Sequence, residues 1–121
     1  MGQPVVHFEI TAKDGEKLQS YYSDLFGWEI DANNEMKYGT ISREGNTNSD
    51  GVGIGGGIAT GPEGYEGHVT FYVGVGDPQA ALEDITRLGG KTIQPPIEVP
   101  GGVTFALFAD PEGHVVGLVK E

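Results

Sequence analysis

The sequence predicts an α+β fold made of two βαβββ modules, and an internal repeat is the main evidence. Residues 7–11 and residues 68–73 each alternate polar with apolar side chains and are rich in β-branched and aromatic residues, which is typical of half-buried strands. Their leading histidines, His7 and His68, lie 61 positions apart in a chain of 121 residues. Because each segment is followed by one helical pattern and further strand-like segments, the chain reads as a duplicated unit.

Each module continues with a helix that has a suitable residue at either end. In the first module, Asp14 precedes apolar residues at helical spacing, and Gly27 follows them. In the second module, Asp77 and Pro78 begin the pattern, and Gly89 ends it. An aspartate can accept hydrogen bonds from the unpaired N–H groups of the first turn, and proline tolerates the first helical position. Glycine readily adopts the left-handed conformation that ends many helices, so both helices have predicted boundaries.

Three strands are expected after each helix. In the first module they cover residues 28–30, 36–42 and 52–59, and in the second module residues 91–93, 103–108 and 114–119. The proline-punctuated stretch 94–102 is predicted to be a surface loop. Residues 110–113, Asp-Pro-Glu-Gly, have the composition of a turn between two strands.

Length and composition predict one domain over residues 1–121, with modules at about residues 4–60 and 67–120, because a chain of this size supports a single core. A net charge of −11 disfavours nucleic acid as a partner. No apolar run is long enough to cross a bilayer, and the N-terminus lacks the pattern of a secretion signal. The chain has no cysteine. These features predict a soluble, cytoplasmic protein without a membrane partner.

Four stretches carry a family resemblance. They are VVHFEI, YYSDLFGWEI, DPQAALEDITRLGGKTI and FADPEGHVVGLV, and together they span nearly the whole chain in order. With the doubled βαβββ unit, they resemble the vicinal oxygen chelate superfamily, which contains glyoxalase I, bleomycin-resistance proteins and extradiol dioxygenases. The resemblance implies curved mixed sheets that enclose a cleft, one helix on the convex side of each module, a small-molecule ligand and a homodimer.

Strand alternation assigns side chains to the two sides of these sheets. The side chains expected beneath the helices are Phe8, Ile10, Val69, Phe71, Val73, Val116 and Leu118. Those expected to line the ligand cleft are His7, Glu9, His68, Thr70 and Tyr72, together with Gly57 and Gly117 on the last strand of each module.

The resemblance also implies where a metal ion would bind. Metal-dependent members take one ligand from the first strand and one from the last strand of each module. His7 and His68 match the first-strand positions, whereas Gly57 and Gly117 stand where glyoxalase I carries glutamate. Two imidazoles alone are a poor site for an octahedral divalent ion, which prefers several oxygen ligands. A rebuilt metal site would consist of His7, His68 and Glu9, while the two glycines are expected to open the cleft for an organic ligand.

Three functions remain open at this point. The first is metal-independent binding of a small organic molecule, with no cofactor. The second is a metal-dependent lyase or dioxygenase that uses His7, His68 and Glu9 around a divalent ion. The third is an interaction module whose cleft has lost its role. A true glyoxalase I is not expected, because positions 57 and 117 offer no carboxylate and Glu9 cannot serve as both ligand and base.

Overall fold

The computed structural model describes residues 2–121, which form two compact units. The first unit is His7–Val69, and the second unit is Thr70–Glu121 together with residues 2–6. The expected division into two modules therefore has a counterpart in two units of similar size. The N-terminal residues join the second unit, where the Gly74 N–H donates to the Pro4 carbonyl at 2.9 Å.

The elements follow the βαβββ order twice. The first set is β1 (Val5–Ala12), α1 (Gly15–Phe26), β2 (Ile30–Asp31), β3 (Gly39–Ile41) and β4 (Gly56–Thr60). The second set is β5 (His68–Val75), α2 (Pro78–Arg87), β6 (Lys91–Glu98), β7 (Thr104–Ala109) and β8 (Val115–Lys120). The predicted α+β class with a repeated module is confirmed.

The strands of each set form a mixed arrangement. Their order is β2-β3-β4-β1 in the first set and β5-β8-β7-β6 in the second. The first strand of each set pairs in parallel with the last, and the remaining neighbours are antiparallel. This pairing places Glu9 beside Gly57 in one unit and Tyr72 beside Gly117 in the other.

Both helices begin and end as the sequence predicts. The Asp14 side chain accepts from the backbone N–H of Lys17 at 3.1 Å, and Gly27 ends α1 with a left-handed φ of 72°. The Asp77 side chain likewise accepts from the N–H of Ala80 at 3.2 Å, with proline in the first turn of α2. Within residues 2–121, neither helix has the length and apolar character needed to span a membrane.

A separate hydrophobic cluster lies beneath each helix. In the first unit, the buried residues Ile10, Ile41 and Ile58 pack with Phe8 of β1, with Leu18 and Tyr22 of α1, and with Trp28 after the helix. In the second unit, the buried residues Val75, Leu82, Ala106 and Leu118 pack with Val73, Ala81, Ile85 and Phe108. The predicted positions of Phe8, Ile10, Val73 and Leu118 beneath the helices are therefore confirmed.

The prediction that Val69 and Phe71 lie beneath a helix is wrong. Val69 is 74% exposed and Phe71 is 42% exposed, although both alternate in phase with the covered Val73. The reason is length: α2 has 10 residues and spans about 15 Å, whereas the eight residues of β5 extend over about 26 Å. Val73 and Val75, near the C-terminal end of β5, belong to the cluster that contains Leu82 of α2, whereas Val69 and Phe71 lie outside it.

The predicted loop over residues 94–102 is partly wrong: residues 94–98 belong to a strand, and only residues 99–102 of this stretch lie in the connection to the next strand. β6 continues through Pro95 and Pro96 as far as Glu98. It lies at the end of the strand order, and its pairing with β7 shifts register between Gln94 and Ile97. An edge strand with an irregular register tolerates prolines because the missing N–H groups are not needed for regular pairing.

We expect Leu118→Ala to lower the free energy of unfolding by about 2–5 kcal/mol, the usual effect of emptying a packed core position. Phe71→Ala, made as the matched variant, should lower it by about 1 kcal/mol or less in the monomer, since much of this ring is exposed there. Urea denaturation of both variants, at a protein concentration low enough to keep the chain monomeric, measures the difference. Equal losses in the monomer would contradict the exposed position of Phe71.

Candidate functional site

The candidate site is centred on a hydrogen-bonded trio in the first unit. His7 and Glu9 are two residues apart on β1, so both side chains emerge on the same face of the strand. The Tyr38 hydroxyl lies 2.8 Å from Nε2 of His7 and donates to Oε1 of Glu9 at 2.9 Å. Thr11, the next residue on this face, lies 3.4 Å from the other Glu9 oxygen through its hydroxyl. The phenol thus connects the two predicted site residues of β1.

The proton positions in this trio follow from the single hydroxyl proton of Tyr38. Since that proton is donated to the Glu9 carboxylate, the phenol oxygen is an acceptor toward His7, and we assign the imidazole proton to Nε2. Burial lowers the pKa of His7 below 6.5, and the Glu9 charge opposes this shift as the smaller effect. Above pH 6.5, His7 is therefore a neutral imidazole whose Nε2 carries a proton.

The backbone before β3 fixes the position of Tyr38. The Asn34 side chain accepts from the Tyr38 N–H at 2.9 Å and donates to the Tyr38 carbonyl at 2.8 Å. Lys37 has a left-handed φ of 55°, which is uncommon for a residue with a side chain. Gln19 of α1 donates to the carbonyl oxygens of Lys37 and Ile58 at 3.2 and 2.9 Å. Hydrogen bonds from Asn34 and from Gln19 of α1 therefore hold the turn that carries Tyr38.

Gly57 lies directly against the Tyr38 ring. A Cβ atom at position 57 would overlap the ring and the hydroxyl group. Gly57 is also the register partner of Glu9 on the neighbouring strand. The phenol ring occupies the space that a side chain at position 57 would fill, which weighs against the prediction that this glycine opens space for a ligand.

The second unit repeats this relationship with a different tyrosine. A Cβ atom at Gly117 would overlap the ring of Tyr72, its register partner on β5. Tyr72 is buried and meets Phe105 edge to face, with ring centroids 6.4 Å apart. Thr70 is also buried, and its hydroxyl donates to the Val115 carbonyl at 2.5 Å. The structure thus uses Thr70, Tyr72 and Gly117 in packing within this unit.

His68 has its own tyrosine partner. The Tyr65 hydroxyl lies 2.5 Å from Nδ1 of His68, and the two rings meet edge to face. Nε2 of His68 is buried, and no hydrogen-bond partner for it exists among residues 2–121. Leaving a buried polar atom unpaired costs about 1–3 kcal/mol, so a ligand or water that paired with Nε2 would be stabilised.

The donors do not suit the divalent ion that the family resemblance implies. Within residues 2–121, no group of three or more histidine, aspartate or glutamate side chains is arranged to hold a metal ion. Nε2 of His7 and Oε1 of Glu9 both bond to Tyr38, and positions 57 and 117 are closed by aromatic rings. A metal site of His7, His68 and Glu9 stays a prediction, and these contacts weigh against it.

Sequence reasoning identified His7, Glu9 and His68 but missed the two tyrosines that contact them. Tyr38 is 31 positions from His7 and 29 from Glu9, and no local pattern connects residues so far apart. Tyr65 is only three positions before His68, in the joint between the modules. That proximity was a usable signal, because a tyrosine beside a predicted site histidine is within hydrogen-bonding reach.

We expect the free energy of unfolding to decrease as pH falls below 6.5 through the contribution of His7. Its folded-state pKa is lowered, so the unfolded chain binds this proton first, and stability is lost between 6.5 and the folded pKa. Urea denaturation at a series of pH values, compared with His7→Gln, isolates this contribution. An NMR titration that placed the His7 pKa above 6.5 would contradict the effect of burial.

Comparisons with known proteins agree with this architecture. The sequence model of the glyoxalase/bleomycin resistance protein/dioxygenase superfamily matches residues 5–118. A glyoxylase-like domain-containing protein of Didymella fabae is 32% identical over 112 residues, which cover 88% of this chain and 84% of that protein. CFP32 of Mycobacterium tuberculosis, provisionally named a glyoxylase, is 25% identical over 111 residues, or 91% of this chain. The chain spans only 42% of the length of CFP32.

A solved structure shows the same fold. It is a glyoxalase/bleomycin resistance protein/dioxygenase superfamily member from Vibrio splendidus, with a TM-score of 0.63 and 14% identity. The match covers 99% of this chain and all of that one. With the sequence match over residues 5–118, this shows that the chain belongs to the glyoxalase/bleomycin resistance protein/dioxygenase superfamily.

Proposed function

We propose that this protein binds a small organic molecule without a metal ion, on the face of β1 that carries His7 and Glu9. The observation that carries the proposal is the Tyr38 hydroxyl, which bonds to His7 and to Glu9, the two donors that a rebuilt metal site would take from the first module. Membership of a superfamily that includes bleomycin-resistance proteins supports binding as a role for this scaffold.

His68 supplies the polar group that a ligand would engage. Its Nδ1 is paired with Tyr65, while its buried Nε2 has no partner within residues 2–121. A ligand atom that pairs with Nε2 removes the penalty of the unpaired group and gains affinity by doing so. Small-molecule sites commonly combine an apolar surface with a few polar groups of this kind.

The charge of the protein narrows the ligand class. A net charge of −11 creates a negative potential that repels anions and concentrates cations near the surface. The chain offers only seven lysine and arginine residues to offset it. We therefore propose a neutral or cationic organic ligand.

Metal analysis and a ligand screen test the function together. Protein purified without a histidine tag should contain no stoichiometric metal, and the thermal-shift screen should include neutral, cationic and anionic compounds. A ligand present at 100 times its dissociation constant stabilises the fold by about 2.7 kcal/mol, which raises the melting temperature by several degrees. His68→Gln should reduce the shift, whereas the surface variant Lys91→Gln should leave it unchanged.

Two results would contradict this function. One is stoichiometric metal in the purified protein, which would favour the enzyme based on His7, His68 and Glu9. The other is turnover of the methylglyoxal–glutathione hemithioacetal with added nickel, zinc, manganese or cobalt, at the rates of about 1–1,000 per second that are typical of enzymes. A screen without any stabilising compound would favour the interaction module.

We also propose that the chain forms a homodimer through the uncovered half of β5. Val69 and Phe71 expose 74% and 42% of their surfaces on one face of this strand, and burial of such side chains favours association. Analytical ultracentrifugation should show a dimer at micromolar concentration, and Val69→Lys with Phe71→Lys should shift it to monomer. A monomeric wild-type protein would contradict the proposal.

A further inference from the structure

We propose that Tyr38 closes the metal-binding position of the first module: its ring occupies the place of a side chain at position 57, and its hydroxyl engages His7 and Glu9. This assigns to one residue a role that goes beyond ligand binding. It rests on the proposed metal-independent function and gives a reason why the donors of this module would not accept a divalent ion.

The protonation of Nε2 of His7 opposes metal binding. With the imidazole proton assigned to Nε2, this atom donates to the phenol oxygen at 2.8 Å and has no lone pair for a metal ion. A cation could use Nε2 only after the proton moved to the other ring nitrogen and Tyr38 withdrew. The carboxylate oxygen Oε1 of Glu9 likewise accepts the phenol proton at 2.9 Å. Tyr38 therefore competes with a metal ion for both donors.

Tyr38 also leaves no room for a ligating side chain at position 57. A Cβ atom at position 57 would overlap the Tyr38 ring, so this phenol and a ligating side chain at position 57 exclude each other. Gly57 lies beside Glu9 in the strand register and against the Tyr38 ring. Glycine at this position is consequently a requirement of Tyr38, and restoring a glutamate alone would not restore a ligand.

Tyr38 is held in place through its backbone and through its hydroxyl group. Two hydrogen bonds from Asn34 fix its backbone, and Gln19 holds the carbonyl of the preceding residue. The backbone contacts would stay in place if the ring rotated away. The rotation would, however, break the bonds of the hydroxyl group to His7 and Glu9. The closed arrangement is therefore built into the turn before β3.

The test measures binding of Ni²⁺ and of Zn²⁺ by isothermal titration, with the metal content after dialysis as a second measurement. Wild-type protein should bind either ion weakly. Tyr38→Phe removes the hydroxyl that bonds to Nε2 and Oε1 but keeps the ring, and it should bind at least about tenfold more tightly, equivalent to about 1.4 kcal/mol. Tyr72→Phe is the matched control at the other glycine and should behave like wild type.

A double-variant cycle tests the steric part. Gly57→Glu alone should be strongly destabilised in urea, because its side chain overlaps Tyr38. The combination of Tyr38→Ala with Gly57→Glu should recover much of this stability and bind metal more tightly than Tyr38→Ala alone. Adding His7→Ala should abolish the gain. Proton NMR should show the His7 ring signals shift when Zn²⁺ is added to the double variant, independently of any activity.

Unchanged metal affinity in both Tyr38→Phe and the double variant would overturn the proposal, as would a Gly57→Glu protein as stable as wild type. These results differ from those that would refute metal-independent function. If wild-type protein bound metal and His7→Ala did not weaken it, the proposed function would fail while the role of Tyr38 at His7 stood. If no variant bound metal, the role of Tyr38 would fail while the metal-independent function stood.

Discussion

The candidate site depends on the parallel pairing of β1 with β4. This pairing brings Gly57 beside Glu9, although the two residues are far apart in the chain. Because Gly57 has no side chain, the Tyr38 ring can lie against the strand and reach both His7 and Glu9. A side chain at position 57 would displace the ring, and the hydrogen bonds from Tyr38 to His7 and Glu9 would be lost.

A phenol gives this position a different chemistry from that of a carboxylate. A glutamate would add a negative charge and two acceptor oxygens, which suit a divalent cation. Tyr38 adds a neutral group with one proton, and it uses that proton on the carboxylate already present. Burial also favours the neutral form of His7, as its lowered pKa indicates. The site therefore combines a neutral imidazole, a phenol and one carboxylate.

Both modules place an aromatic ring against a glycine of the last strand, but the ring comes from a different part of each module. In the first unit the ring above the glycine comes from the turn before β3, and in the second unit it comes from the paired strand β5. In the first arrangement, the hydroxyl of the ring bonds to a histidine and to a carboxylate. Both equivalent positions thus carry a glycine, and each glycine contacts a different aromatic ring.

Local sequence determined the elements and their helix ends. The alternation of residues 7–11 and 68–73, and the caps Asp14 and Asp77, depend on neighbours in the chain, so pattern and propensity were sufficient. The resemblance carried by four stretches also identified the superfamily correctly. Strand phase also led to the choice of His7, Glu9 and His68 as candidate site residues, which stays a prediction.

Tertiary structure alone decided which of these side chains are covered and what they touch. The exposure of Val69 and Phe71 depends on where a short helix packs along a longer strand, which strand phase does not specify. Pro95 and Pro96 entered a strand because that strand lies at an edge with an irregular register. Tyr38 meets His7 only because a turn with a left-handed Lys37 carries it over Gly57. Contacts between residues distant in the chain arise from this packing, and the local sequence pattern does not predict them.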